Sequence, residues 1–146
     1  MENEKCPPAK TAKRLIQTGK ATCVVIKDKK IIHQSLGKGV SSLIDLYENN
    51  PETLSGAYVL DKVIGKAAAM ILVLGGAKKV YGERMSLSAI NYLKARGIKT
   101  AYAQRTGMIL NRAGNGICPL ENAVINIEDA REGYNGLCET MGVLKI

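Results

Sequence analysis

Two short runs rich in β-branched residues, Thr22 to Lys27 (TCVVIK) and Ile31 to Leu36 (IIHQSL), stand on either side of Asp28, Lys29 and Lys30. Runs of that kind with a polar break between them read as two strands of a hairpin. Before them, Ala9 to Thr18 forms a helix with a thin apolar face, ending at Gly19. After them, Gly37, Lys38 and Gly39 break the second strand, and Ser42 with Asp45 has the spacing of a capping box opening a helix from Leu43 to Asn49, stopped by Pro51. From Lys62 to Leu74 the chain reads KVIGKAAAMILVL, apolar around its whole circumference and ended by Gly75 and Gly76, the pattern of a centrally buried helix. Lys79 to Arg84 then reads as a strand, Ser86 as the N-cap of a helix from Leu87 to Arg96, and Lys99 to Gln104 as a further strand. A strand, helix, strand order of this kind is right-handed when its strands are parallel neighbours, so part of the sheet is expected to be parallel with helices on its faces. Met108 to Leu110 adds a short strand, Asn111 to Ile117 a glycine-containing loop, Pro119 the start of a helix to about Glu132, and Tyr134 to Leu144 a helical end.

Length fits a single domain over residues 1–146. Trp and Phe are both absent, so the core is aliphatic. No apolar run reaches the ~18–20 residues that span a bilayer, and Met1 to Pro8 is polar, so the expectation is a cytoplasmic protein without contact to a membrane. The formal charge is +8, and it is lopsided: residues 1–30 hold eight basic residues against Glu2, Glu4 and Asp28, a net of +5. This basic N-terminal segment, about residues 1–20 at its core, reads as a solvated face; no aromatic interleaving supports nucleic-acid binding.

The four cysteines, Cys6, Cys23, Cys118 and Cys138, contain no C-x-x-C pair, and His33 is the lone histidine. Such an inventory argues against zinc and reads as free thiols in a reducing compartment; no metal and no cofactor are expected. The first candidate site is Asp61-Lys62-Val63-Ile64-Gly65-Lys66. With Asp61 as N-cap of the apolar helix, Lys62 and Lys66 share one face of its first turns, where the amides already carry about half a positive charge. Two cations there are unfavourable by a few tenths of a kcal/mol each, up to ~1. A bound phosphate or carboxylate would offset them, with Gly65 allowing close approach; the plainer alternative is that Asp61 and a nearby acid do so. Gly65-Lys66 is no nucleotide loop, because Leu60 and Ala67 stand where that motif needs glycine and Ser or Thr, and no dinucleotide fingerprint is present.

The second candidate is the loop from Asn111 into Cys118-Pro119-Leu120-Glu121. Pro119 suits the first helical position, which places Cys118 at the N-cap and Glu121 at the third helical position. A helix N-terminus favours a thiolate, whereas Glu121 bonded back to its own cap would oppose it and leave Cys118 inert. A Cys118–His33 pair would require the predicted strand to face that loop.

The stretch Ala57 to Gly76 (AYVLDKVIGKAAAMILVLGG), with Lys79-Val80-Tyr81, Leu43-Ile44-Asp45-Leu46-Tyr47 and Cys118-Pro119-Leu120-Glu121, resembles the bacterial family called domain of unknown function 1893 over roughly residues 20–130. The resemblance implies a cytidine deaminase-like fold, a three-layer α/β/α sandwich around a mixed sheet of about five strands. Zinc deaminases open one helix with H-x-E and a later one with P-C-x-x-C. Here the corresponding segments read Asp61-Lys62-Val63 and Cys118-Pro119-Leu120-Glu121, so zinc-dependent deamination is not implied. What the resemblance implies is that both helix N-termini face one pocket, with Asp61, Lys62 and Lys66 near Cys118 and Glu121; the two lysines make the expected ligand an anionic, nucleotide-like or phosphorylated small molecule held by Lys62, Lys66, Gly65 and Asn111. The alternatives are a metal-free enzyme with Cys118 as nucleophile and Asp61 or Glu121 moving the proton, and an interaction module acting through the basic segment. Proteins of this fold often self-associate, so a homo-oligomer is a further expectation.

Overall fold

The computed structural model describes residues 7–37, 39–111 and 113–145. Cys6, Lys38, Arg112 and the first part of the basic segment lie outside the described residues. Helix α1 (Pro7–Gln17) ends at Gly19, whose positive φ lets the chain turn into strand β1 (Cys23–Lys27). Asp28 and Lys29, with φ of 52° and 66°, form a two-residue turn of the mirror-image type that matches strand twist, and β2 (Lys30–Ser35) returns antiparallel with Lys27 opposite Lys30. Helix α2 (Val40–Asn49) follows, then a 3-10 turn at Pro51–Thr53. Three successive strands come next, β3 (Tyr58–Ile64), β4 (Lys79–Ser86) and β5 (Lys99–Thr106), separated by α3 (Lys66–Gly75) and α4 (Leu87–Ala95). The chain closes with α5 (Pro119–Ala123) and α6 (Ala130–Lys145).

The sheet order is β2-β1-β3-β4-β5, antiparallel through β1 and parallel from β3 to β5. Among the described residues one face carries α1 alone, whose Ala12 and Ile16 pack on Val24, Ile26, Leu60 and Tyr81. The other face carries α2, α3, α4 and α6 over the larger core. The result is a three-layer α/β/α sandwich with a mixed five-stranded sheet, as expected. Helix α3 is its centre: the side chains from Lys66 to Leu72 are all buried. On α6, Gly133 allows close approach to α3, since a Cβ there would fall 2.3 Å from the Met70 sulfur.

Four expectations need correction. Lys62, Val63 and Ile64 belong to strand β3, not to the apolar helix, and Gly65, in extended conformation, is the N-cap of α3. The AYVLDKVI run is short and apolar, which suits a strand buried on both faces as well as a helix, and pairing with β4 from Tyr58 to Ile64 decides between them. Strict alternation also fails there. Val59 and Ile64, five apart, both enter the larger core, as do Val80 and Met85 beside them. Gly82 leaves the space, because a Cβ there would lie 3.0 Å from Ile64 and 3.1 Å from the Met85 methyl. Second, Gly39 rather than Ser42 caps α2; Ser42 packs against Gly37, and the Asp45 carboxylate accepts from the Asn49 side-chain Nδ2 at 2.7 Å. Third, no single helix runs from Pro119 to Glu132. The chain leaves α5 at Val124, which is drawn into the core, and Asp129 caps α6 by accepting from the Glu132 amide at 2.9 Å. Fourth, Met108 to Leu110 contributes only an isolated bridge, Leu110 to Ile117.

Candidate functional site

Because Gly65 has no side chain, α3 begins without a cap of its own, and its first amides need acceptors from elsewhere. Glu121 supplies them from α5. Its two carboxylate oxygens accept from the Lys66 amide at 2.9 Å and the Ala67 amide at 3.0 Å. The anion expected at this helix N-terminus is therefore the protein's own carboxylate, so Glu121 caps α3 and not its own helix. Gly65 is needed for space: a Cβ would sit 2.4 Å from a Glu121 oxygen. Burial pushes the Glu121 carboxyl above the usual carboxylate range, and the two amides and Lys66 oppose that shift.

Asp61 is not a helix cap. It lies mid-strand in β3 opposite Cys23 of β1 and accepts from the Lys62 amide at 2.7 Å. Burial raises its carboxyl to about 7, and burial with the adjacent Asp61 raises the Cys23 thiol too. Lys62, one residue on, is exposed on the strand and does not share a helix face with Lys66. Cys118 is the N-cap of α5, as expected, but its thiol makes no capping bond. The Asn111 side chain closes its own loop, accepting from the Gly114 amide at 2.8 Å and donating to Asn115 at 3.1 Å. His33 lies opposite Val25 in the hairpin. Thus Glu121, Gly65 and Lys66 meet, whereas Asp61, Lys62 and Asn111 are engaged elsewhere.

A cleft opens where the three parallel strands end. Lys66 follows β3 by two residues, Ser88 follows β4 by two, and Gly107 directly follows β5. Two adjoining cavities of about 190 and 420 Å³ share Lys66, Ser88 and Ile125. Within the cleft the Lys66 ammonium lies 2.9 Å from Glu128; the side chains are 8% and 76% exposed respectively. Lys66 holds the Glu128 carboxyl below its ordinary range, first by the hydrogen bond and then by charge. Tyr92 of α4 donates its hydroxyl to the Glu128 carbonyl at 2.7 Å, and Arg96 donates to the same carbonyl at 2.7 Å while its guanidinium stacks 3.5 Å from the Tyr92 ring centre. Tyr92, Arg96, Ser88 and Glu128 were not among the sequence candidates. The four-residue spacing of Tyr92 and Arg96 on an expected helix was the signal available. Among the described residues no group of three or more His, Cys, Asp and Glu side chains is placed to hold a metal ion.

The sequence profile of the domain of unknown function DUF1893 matches residues 11–141. This chain belongs to the DUF1893 family. A DUF1893 family protein from Thermotoga maritima has a similar structure, with a TM-score of 0.81 over 90% of this chain and 88% of that one at 21% identity. A dCMP deaminase from the cyanophage S-TIM5 aligns with a TM-score of 0.46 at 17% identity, over 64% of this chain and 91% of that one. A diaminohydroxyphosphoribosylaminopyrimidine deaminase/5-amino-6-(5-phosphoribosylamino)uracil reductase from Thermotoga maritima aligns at 0.47 and 16% identity, over 78% and 40%. No curated protein matches this DUF1893 chain. Among the described residues no helix is long and apolar enough to cross a membrane.

Proposed function

We propose that this DUF1893 chain binds an anionic small molecule, phosphorylated or nucleotide-like, in the cleft beyond the carboxyl ends of β3, β4 and β5. Open α/β sheets hold ligands in that position. The observation that carries the reading is the Lys66 ammonium: a buried cation whose carboxylate partner, Glu128, is largely in solvent. A buried charge needs a counter-ion, and an exposed side chain is an exchangeable one. A ligand phosphate or carboxylate arriving from the cleft displaces the Glu128 carboxylate, meets Lys66, and has Ser88, Asn91 and the Arg96 guanidinium within the same walls. Glu121 stays in place as the cap of α3.

Titration with nucleoside monophosphates and sugar phosphates, read by thermal shift, tests this. Glu128→Gln removes the competing carboxylate and is expected to tighten anion binding, while Lys66→Met abolishes it. If no anion stabilises the wild type more than Lys66→Met, the reading fails. No observation favours a catalytic trio of Cys118, Asp61 and Glu121. Among the described residues no hydrogen bond joins any two of them, and both Glu121 oxygens are held by amides.

A further inference from the structure

The opposite end of the sheet holds a second cleft of different character. Strands β3, β4 and β5 start in one transverse row, Tyr58 paired with Lys79 and Lys79 with Lys99, and Ile26 of β1 lies across from Tyr58. The hairpin turn brings Lys27 and Lys29 to the same edge, and the connection from α3 adds Lys78. These five lysines line a cavity of about 440 Å³ whose only carboxylate among the described residues is Asp28. Among the described residues none of the five is ion-paired with an acid. Lys27 donates to the Glu52 carbonyl at 2.5 Å, and the Lys79 ammonium lies 4.6 Å over the Tyr58 ring. The first turn of α1, which contributes Pro8 and Ala9 to the wall, contains no acidic residue, so the positive end of its dipole adds to the same field.

Lysines on edge strands guard against strand addition, which accounts for Lys99 on β5. It does not account for Lys79, on an inner strand directly beside Lys99, since like charges opposite one another destabilise a sheet. The geometry points to a binding site for a polyphosphate group, the chain of two or more linked phosphates found in inorganic polyphosphate and in nucleoside polyphosphates. Five lysines against one carboxylate among the described lining residues match a multiply charged anion, and lysines serve phosphate as point charges without demanding a fixed fork. The volume is that of a small-molecule site. Single-stranded nucleic acid is disfavoured, because binding it relies on open aromatic faces for base stacking, and Lys79 already lies over Tyr58.

Calorimetric titration of the full chain with sodium tripolyphosphate, orthophosphate, a nucleoside triphosphate and a single-stranded oligonucleotide, at low and at physiological ionic strength, tests the assignment. Tripolyphosphate is expected to bind about ten-fold or more tighter than orthophosphate, with affinity falling as salt rises. The double change Lys79→Ala, Lys99→Ala is expected to weaken it by about ten-fold or more, the Lys79→Arg, Lys99→Arg pair by under about three-fold, and the exposed Lys62→Ala not at all. Lys78→Glu, an exposed change that leaves the strands intact, is expected to weaken it as well. A nucleoside triphosphate that outbinds tripolyphosphate assigns the nucleotide as the source, and equal affinities assign the inorganic chain. Tripolyphosphate binding no tighter than orthophosphate, insensitivity to Lys78→Glu, or an oligonucleotide whose affinity exceeds that of tripolyphosphate and grows with its length would each overturn the proposal.

Discussion

At the scale of single residues, two carboxylates define the interior chemistry. Asp61 holds a proton to about pH 7 because burial disfavours its charge more than the neighbouring amides favour it. Its folded value lies above its ordinary 3.8, so the native state binds more protons between those limits. The stability it contributes is complete below the lower value and is lost as pH rises through the upper one. Glu121 shifts in the same direction and Glu128 in the opposite one. Thermal melts of the wild type are therefore expected to fall from pH 5 to pH 8, and Asp61→Asn is expected to flatten that slope; equal slopes in the two proteins would contradict the assignment. The second residue-scale prediction concerns Gly65. Gly65→Ala drives its methyl group into the Glu121 carboxylate and strips two amides of their acceptor, at a cost on the order of 3 kcal/mol measured by urea unfolding. Glu121→Gln retains an acceptor and is expected to cost about half as much.

Among the elements, α1 is the exposed test of the layered architecture, because among the described residues it alone covers one face of the sheet. Ile16, in its last turn, is 1% exposed, and Ile16→Ala is expected to cost roughly 2–5 kcal/mol, followed by far-UV circular dichroism since the chain contains no Trp. The hairpin, α1 and the unit from β4 through α4 to β5 were legible in the sequence, because each carries a local signal: β-branched runs about a polar turn, or a Ser86 cap that accepts from the Ala89 amide at 3.1 Å. The boundary between β3 and α3 was not. KVIG belongs to a run that is apolar in both periodicities, and only the partner strand, brought alongside by folding, selects one. The break between α5 and α6 was equally hidden, since Asp129 marks a helix start only once Val124 has been drawn into the core. The same limit applies to the site. The sequence pointed to a charge demand at the start of the apolar helix and to Glu121 as a cap, yet these were two halves of one contact, 55 residues apart.

Over the whole molecule, the two clefts occupy opposite ends of the same three strands, one lined by Lys66, Ser88 and Gly107 just past their carboxyl ends, the other by Tyr58, Lys79 and Lys99 at their amino ends. A sheet that separates two sites predicts that their occupants do not compete. Tripolyphosphate and an anion held by Lys66 are expected to raise the melting temperature additively, and mutual displacement would place them in one site. The bond between Glu121 and the start of α3 also has a consequence in time. On the ribosome, the leading amides of the central helix emerge first and stay bare until 55 further residues have been made. Until Glu121 leaves the exit tunnel the nascent chain carries its hydrophobic hub unsealed at one end, and the core closes only after the sequence beyond residue 120 has followed.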